Sequence, residues 1–173
     1  MARMSADAPQ LRLARAPDAP AIARLSRDLI ETGLGWTYDA AKVARLIADP
    51  DVAAPVAVDV QGLAGFALMQ FGDERAHLVL LAVHPRCQRQ GVARRLLAWL
   101  LASARTAGIA ELSLELRAGN AGARAFYRAL GFDDAGLLPD YYRSGEAALR
   151  MRRVLRNAAE AGTPWQAPTL RRR

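Results

Sequence analysis

Hydrophobic positions change period several times along this chain, and each change marks an element. Residues 10–15 (QLRLAR) alternate and predict a first strand. Pro17 then opens a helix through IARLSRDLI, with Ile22, Leu25, Leu29 and Ile30 on one stripe and Gly33 and Gly35 at its end. A second short helix, roughly 39–48, places Val43, Leu46 and Ile47 on one face before Pro50 stops it. Three apolar runs follow, PVAVDV (55–60), LAGFALMQF (63–71) and RAHLVLLAV (75–83). The short links Gln61-Gly62 and Gly72-Asp73 make them an antiparallel meander.

From Gly91 to Ala107 the period becomes helical, with Val92, Leu96, Leu97, Leu100 and Leu101 recurring, and Gly108 closes the helix. Residues 110–117 then alternate strictly: Leu112, Leu114 and Leu116 on one face, Ser113, Glu115 and Arg117 on the other. Strand, helix and strand form a crossover unit, so the fourth and fifth predicted strands, 75–83 and 110–117, are expected as parallel neighbours in a sheet otherwise antiparallel. A last helix, about 120–130, ends at Gly131, and 132–138 and 146–154 supply the final strands. The expected fold class is α/β (α+β): one domain over 10–154, with a mixed, mostly antiparallel sheet of about six to seven strands and about four helices. Residues 155–173, with an arginine run and two prolines, read as a disordered basic tail.

Composition agrees with a folded chain of 173 residues, 52% apolar against 24% charged, which excludes general disorder. No charge-free stretch approaches the roughly 20 residues that span a bilayer, and the first residues lack the apolar core of a signal peptide. No membrane is expected, and a cytoplasmic location is. Cys87 is the single cysteine, so neither an internal disulfide nor a cysteine-based zinc cage is available. The net charge of +7 invites a nucleic-acid reading, yet residues 152–173 hold six arginines against Glu160 alone, and the body is nearly balanced. That tail has no interleaved aromatic apart from Trp165, so a nucleic-acid partner is not expected, although docking on RNA through phosphates stays open. Monomer and homodimer are both compatible with the chain.

Candidate chemistry gathers in HPRCQRQGVARR (84–95), where Gly91 falls at a helix start. A helix N-terminus offers free N–H groups and the positive dipole end, which suit a phosphate, and Arg86, Arg89, Arg94 and Arg95 surround that point. An ordinary helix start with solvated arginines explains the same residues. Neither the P-loop pattern nor GxGxxG is present. His84 and Cys87 have no orienting partner for nucleophilic work, and with His77 they fall short of a metal shell, so no metal is expected.

QRQGVA (88–93) resembles the Q/R-x-x-G-x-G/A signature of the GNAT acetyltransferases. LELRAGNAGARAFYRALGF (114–132) resembles the second half of that motif, and DYYRSGEAALRM (140–151) is similar to the end of the ribosomal-protein alanine N-acetyltransferase branch. The likeness spans about 78–153 and implies acetyl-CoA as cosubstrate, held between splayed fourth and fifth strands. It implies that Leu81, Ala82 and Val83 line the pantetheine arm, that Arg89, Gln90, Gly91, Val92, Ala93 and Arg94 hold the diphosphate, and that Asn120 hydrogen-bonds the pantetheine. Asn120 also suits a helix N-cap. Glu115 would be the general base and Tyr127 the acid for the departing thiolate. Any alternating strand exposes a charge, and a helical tyrosine usually packs, with Phe126 and Phe132 as the core aromatics here. A free glutamate, with a pKa of about 4.3, is a weak base for an ammonium, so burial or a water relay has to assist.

The implied reaction is transfer of acetyl to a primary amine, either a protein N-terminus or a small molecule. A module that binds coenzyme A without catalysis is the competing reading. GLGWTYD (33–39) stands where the ribosomal-protein branch carries a Phe-Pro-Trp cluster, which makes Trp36 and Tyr38 candidate walls of the acceptor pocket. Tyr141 and Tyr142 match that branch's paired tyrosines, and Glu146-Ala147-Ala148 replaces its Glu-Asp-Ala. Both departures leave the acceptor open.

Overall fold

The computed structural model describes residues 8–156, with elements from Gln10 to Val154. The expected tail lies, from residue 157 on, outside the described residues. QLRL forms β1 (Gln10–Leu13). Pro17 sits in a 3-10 turn over Ala16–Asp18, so α1 (Ala19–Leu29) starts later than Pro17 suggests. It also ends before Gly33, because the N–H groups of Ile30 and Glu31 both turn onto the Ser26 carbonyl at 2.8 and 2.9 Å. Asp39 caps α2 (Ala40–Ala48), its carboxylate accepting the Lys42 N–H at 2.8 Å.

A two-residue strand that the apolar pattern does not reveal, β2 (Val52–Ala53), pairs with β4. The meander is β3 (Pro55–Asp59), β4 (Gly62–Phe71) and β5 (Arg75–Val83), antiparallel throughout. After it come α3 (Val92–Thr106), β6 (Glu111–Arg117), α4 (Ala121–Ala129), β7 (Asp133–Leu138) and β8 (Ala148–Val154). The sheet has eight strands in the order β1-β3-β4-β5-β6-β8-β7, with β2 on the side of β4. The final strand is therefore inserted between β6 and β7, antiparallel to both.

Two apolar layers hold the helices to opposite faces. On the α3 and α4 face, Leu96, Leu97 and Leu100 of α3 pack with Leu112, Leu114, Phe132 and Met151, and on the α1 and α2 face Ile22 and Val43 of those helices pack with Val56, Phe66, Leu68 and Leu80. Truncating a fully buried leucine such as Leu97 to alanine costs about 2–5 kcal/mol. Gly65 sets how closely α3 can approach the sheet: a Cβ there would meet the Ala82 carbonyl oxygen at 3.0 Å and Val92 Cγ1 at 3.2 Å.

β5 and β6 are the expected parallel neighbours, but only in part. Pairing runs from Arg75–Glu111 to Leu78–Leu114 and stops. At that point β5 carries an extra residue, Val79, because Leu68 faces Leu80 on β4 while Met69 faces Leu78. The bulge reverses the alternation of β5. Ala76 and Leu78 before it, and Val83 after it, belong to the α3 layer, whereas Leu80 and Ala82 belong to the α1 layer. Beyond Val79 the two strands diverge, β5 still paired to β4 and β6 to β8.

Candidate active site

The divergence opens a cleft of about 350 Å³ lined on one side by Leu78–Leu81 and on the other by Leu114–Arg117, with Asn120, Ala123 and Tyr127 of the α4 end closing it. A second cavity of about 490 Å³ opens on the α2 side, lined by Tyr38, Lys42, His77, Tyr141 and Arg143 among others. The two share Ile30, Leu34, Val79, Leu80, Glu115 and Tyr142. Glu115 thus faces both spaces at once.

Each Glu115 oxygen has a partner. Oε2 lies 2.9 Å from His77 Nε2, and Oε1 accepts from Arg150 Nε at 2.8 Å. The side chain is 10% exposed. Burial alone would raise its pKa, but the His77 hydrogen bond first, and Arg150 after it, hold the carboxyl below the ordinary glutamate range. Glu115 is therefore a weaker base than its partial burial suggests. His77 Nδ1 is 3.0 Å from Ser113 Oγ, which continues the polar chain along β6.

Tyr127 combines a packed ring with a place on the cleft wall. Its ring packs edge-on against Phe126 and Phe132, at centroid separations of 5.1 and 5.5 Å, and the residue also lines the cleft. It is 8% exposed, and Phe132 is buried as expected, but Phe126 is only half-buried, so the deeper of the adjacent aromatics is the tyrosine. Burial pushes the phenol well above the usual tyrosine range and keeps its O–H as a donor.

At the start of α3, Arg89 and Gly91 both have positive φ, 62° and 81°, with Gln90 between them. Alternating turns of this kind aim successive N–H groups into one concavity. The first helical hydrogen bond is Arg95 N–H to the Gly91 carbonyl at 3.0 Å, which leaves the preceding amides of the turn available. Arg89, Gln90, Gly91 and Arg94 are exposed, Ala93 is half-buried, and Val92 turns its side chain into the core. Val92 can therefore contribute only backbone. Of the four arginines read as surrounding this turn, two are committed elsewhere: Arg86 Nη2 donates to Asp59 Oδ1 at 3.0 Å, and Arg95 Nη1 donates to the Pro9 carbonyl at 2.8 Å. Arg89 and Arg94 remain. Leu81 lines the cleft, while Ala82 and Val83 are buried in the strand that leads to it. Asn120 caps α4, its Oδ1 accepting the Ala123 N–H at 3.1 Å, and it also lines the cleft.

On the other side, Tyr38, Tyr141 and Tyr142 come together around the second cavity, Tyr141 and Tyr142 edge-on at 5.0 Å. Desolvation raises all three phenols. Trp36 is not among them. The turn through Gly33 and Gly35, both at positive φ, carries it outward, half exposed, where the Arg27 guanidinium lies 5.5 Å from the ring centre. Two residues the sequence reading passed over fix these loops. Buried Glu31 accepts from Ser26 Oγ at 3.1 Å and from the N–H groups of Thr37 and Tyr38 at 2.6 and 3.2 Å. Arg117 donates to the Ile30 carbonyl at 3.1 Å and to that of Thr32, and pairs with Glu146 at 3.3 Å, tying the loop after α1 to the loop before β8.

The profile of the acetyltransferase (GNAT) family matches residues 22–132. The chain belongs to the acetyltransferase (GNAT) family. The [ribosomal protein bS18]-alanine N-acetyltransferase of Escherichia coli K12 is 44% identical over 80 residues, which is 46% of this chain and 54% of that protein. The chain thus aligns with about half the length of the curated relatives it matches. Among solved structures, the ribosomal-protein-S18-alanine N-acetyltransferase from Escherichia coli has a TM-score of 0.73 at 28% identity, covering 88% of this chain and 97% of that one. Nourseothricin acetyltransferase has 0.66 at 27%, covering 84% and 97%.

Within this GNAT fold, the family resemblance singles out Glu115 and Tyr127 as candidates, whereas nothing in it points to His77 and Arg150 as the partners of Glu115. His77 lies 38 positions before Glu115 in sequence, and only the parallel pairing of β5 with β6 makes them neighbours. The signal for Arg150 was weaker still, since it depends on β8 entering beside β6. Among the described residues no group of three or more His, Cys, Asp or Glu is placed to hold a metal, and no helix is long and apolar enough to cross a membrane.

Proposed function

We propose that this chain transfers the acetyl group of acetyl-CoA directly to a primary amine. The observation that carries the reading is the position of Glu115, at the junction of a cleft between diverging strands and a separate tyrosine-lined cavity. The residues present fit the donor. The unpaired edge of β5 from Val79 to Val83 offers backbone groups to the amides of a pantetheine arm, as another strand would. The amides of Gly91, Val92 and Ala93, with Arg89, Gln90 and Arg94, suit a diphosphate. Asn120 spends its Oδ1 on the cap and keeps its amide N–H groups for a ligand.

Bound there, acetyl-CoA supplies the activated acyl group. The protein's part is to place an amine from the second cavity against the cleft, to help remove its proton at Glu115, and to offer the Tyr127 O–H to the departing sulfur. The acceptor class that fits is a protein N-terminal α-amine. A cavity of about 490 Å³ bounded by two loops has room for a chain terminus, and the likeness to ribosomal-protein alanine N-acetyltransferases points the same way. A small-molecule amine is the second reading, favoured by the likeness to nourseothricin acetyltransferase and by GLGWTYD in place of the branch's aromatic cluster.

The test is thiol release from acetyl-CoA with a pool of peptides of free N-terminus and a pool of small amines, the products identified by mass spectrometry. Acetylated peptide N-termini support the first acceptor and acetylated small amines the second. Binding of acetyl-CoA with no thiol release from either pool would leave a coenzyme-binding module.

A further inference from the structure

Two carboxylates and two side-chain cations line the acceptor-side cavity, and they do not pair with one another. The carboxylates are already satisfied. Glu115 gives one oxygen to His77 and the other to Arg150, and buried Glu31 takes the Ser26 hydroxyl and the N–H groups of Thr37 and Tyr38. The cations are Lys42 on α2 and Arg143 in the loop before β8, and among the described residues neither has a carboxylate within salt-bridge reach. Acids close to them along the chain are spent or turned away. Asp39 accepts the Lys42 backbone N–H as the α2 cap, Glu146 pairs with Arg117 at 3.3 Å, and exposed Asp140 does not line the cavity.

We propose that the acceptor is an acidic peptide N-terminus, with Asp or Glu at its second or third position, whose side-chain carboxylate is received by the Lys42 ammonium. This names the substrate class of the same site and rests on the acetyl-transfer reading above.

Three observations support it. First, the charge of Lys42 is placed but not neutralised. Its side chain is half-buried, and its ammonium lies 4.3 Å from the centre of the Tyr38 ring. An aromatic face steadies a cation without supplying a counter-charge, so the ammonium stays available to a ligand. Of the 24 basic residues of the chain this is the single lysine, a compact point charge that one carboxylate satisfies, where a guanidinium favours a planar two-pronged partner.

Second, the reach is right. Lys42 and Glu115 line one cavity, so an amine at Glu115 and a carboxylate at Lys42 share the same space. A compact space of about 490 Å³ is about 8 Å across, and an extended chain advances about 3.3–3.6 Å per residue, so the second and third residues are those it can hold beside the reacting amine.

Third, the alternatives are penalised. A peptide seated there strips water from Lys42; an acidic side chain compensates that loss, whereas a neutral one leaves the ammonium unpaired. A basic side chain would in addition face both Lys42 and Arg143, with Glu31 and Glu115 already taken by their own donors.

The experiment compares kcat/KM for three peptides of free N-terminus that carry Glu, Gln or Lys at both the second and third positions and are otherwise identical. They are tested on wild type, Lys42→Met and Lys42→Glu. In parallel, the same peptides labelled at the C-terminus are titrated by fluorescence anisotropy in the presence of coenzyme A. Wild type should prefer the Glu peptide over the Gln peptide about tenfold, with the Lys peptide last, as expected for a hydrogen-bonded charge pair. Lys42→Met should bring the Glu-to-Gln ratio close to one while the KM for acetyl-CoA holds, and Lys42→Glu should turn the order toward the Lys peptide. Equal handling of the Glu and Gln peptides by wild type, or an undiminished preference in folded Lys42→Met, overturns the proposal, as does turnover of small amines with no peptide bound. If no amine of any kind releases thiol, the acetyl-transfer reading fails instead. The anisotropy arm still decides the charge preference, because tighter binding of the Glu peptide to wild type than to Lys42→Met is read without turnover.

Discussion

Arg150 and Glu115 meet across one rung of the sheet: they are register partners on β8 and β6, and the guanidinium Nε donates to Oε1 at 2.8 Å. The Glu115 carboxyl, held low by His77 first and by Arg150 after it, contributes stability that is present above the ordinary glutamate range and is lost as pH falls through the lowered value. Arg150→Met should therefore lower stability at neutral pH by less than about 1 kcal/mol, since the arginine is half exposed. The gap in Tm between variant and wild type should close in acid as Glu115 protonates in both.

Replacing Glu115 by Gln keeps the shape of the side chain and removes its charge. The expected outcome is a fall in kcat of about 10²–10⁴-fold with acetyl-CoA affinity little changed by calorimetry, because the residue faces the cleft only at its junction with the acceptor cavity.

For Tyr127→Phe the two roles of the residue separate. Its ring contacts with Phe126 and Phe132 survive, so the stability cost should stay under about 1.5 kcal/mol. Loss of the hydroxyl should reduce kcat at least tenfold by the usual scale of acid catalysis. Denaturant melts and steady-state rates on the same preparation check both halves.

Glu31→Ala removes the acceptor of three hydrogen bonds, from Ser26 Oγ and the N–H groups of Thr37 and Tyr38. Stability should fall by about 1–3 kcal/mol. More telling, the KM for the acceptor should rise while that for acetyl-CoA holds, because the loop it fixes carries Tyr38 on the acceptor side.

Gly65→Ala should cost about 1–3 kcal/mol, because the new methyl would meet the Ala82 carbonyl oxygen of β5 at 3.0 Å and press on Val92 Cγ1 and Leu96 Cδ1 of α3 at 3.2 and 3.3 Å. The loss should be visible as a lower urea midpoint.

Local pattern made much of this molecule legible. The spacing of Leu96, Leu97 and Leu100 gave α3, and the alternation of Leu112, Leu114 and Leu116 gave β6 and placed Glu115 opposite the core. The start of α3 at Gly91 was readable because a positive φ and a free helix end favour one residue type. What stayed hidden depends on tertiary placement. The insertion of β8 between β6 and β7 leaves no periodicity, yet it brings Arg150 to Glu115. Trp36 and Tyr38 stand two apart in one aromatic cluster, and only the path of the turn sends one outward and one into the cavity. Charge counting placed Arg86 at the α3 turn because Asp59, its actual partner, is 27 residues away.

The bulge at Val79 carries a consequence for the sheet as a whole. Most β-proteins guard their exposed strand margins against chance pairing. Here a margin is created inside the sheet, from Val79 to Val83, between two strands that each stay paired on their far side. Excising that one amino acid would let β5 and β6 zip along their full length, giving a tidier and sturdier architecture with nothing left for a visitor to complete.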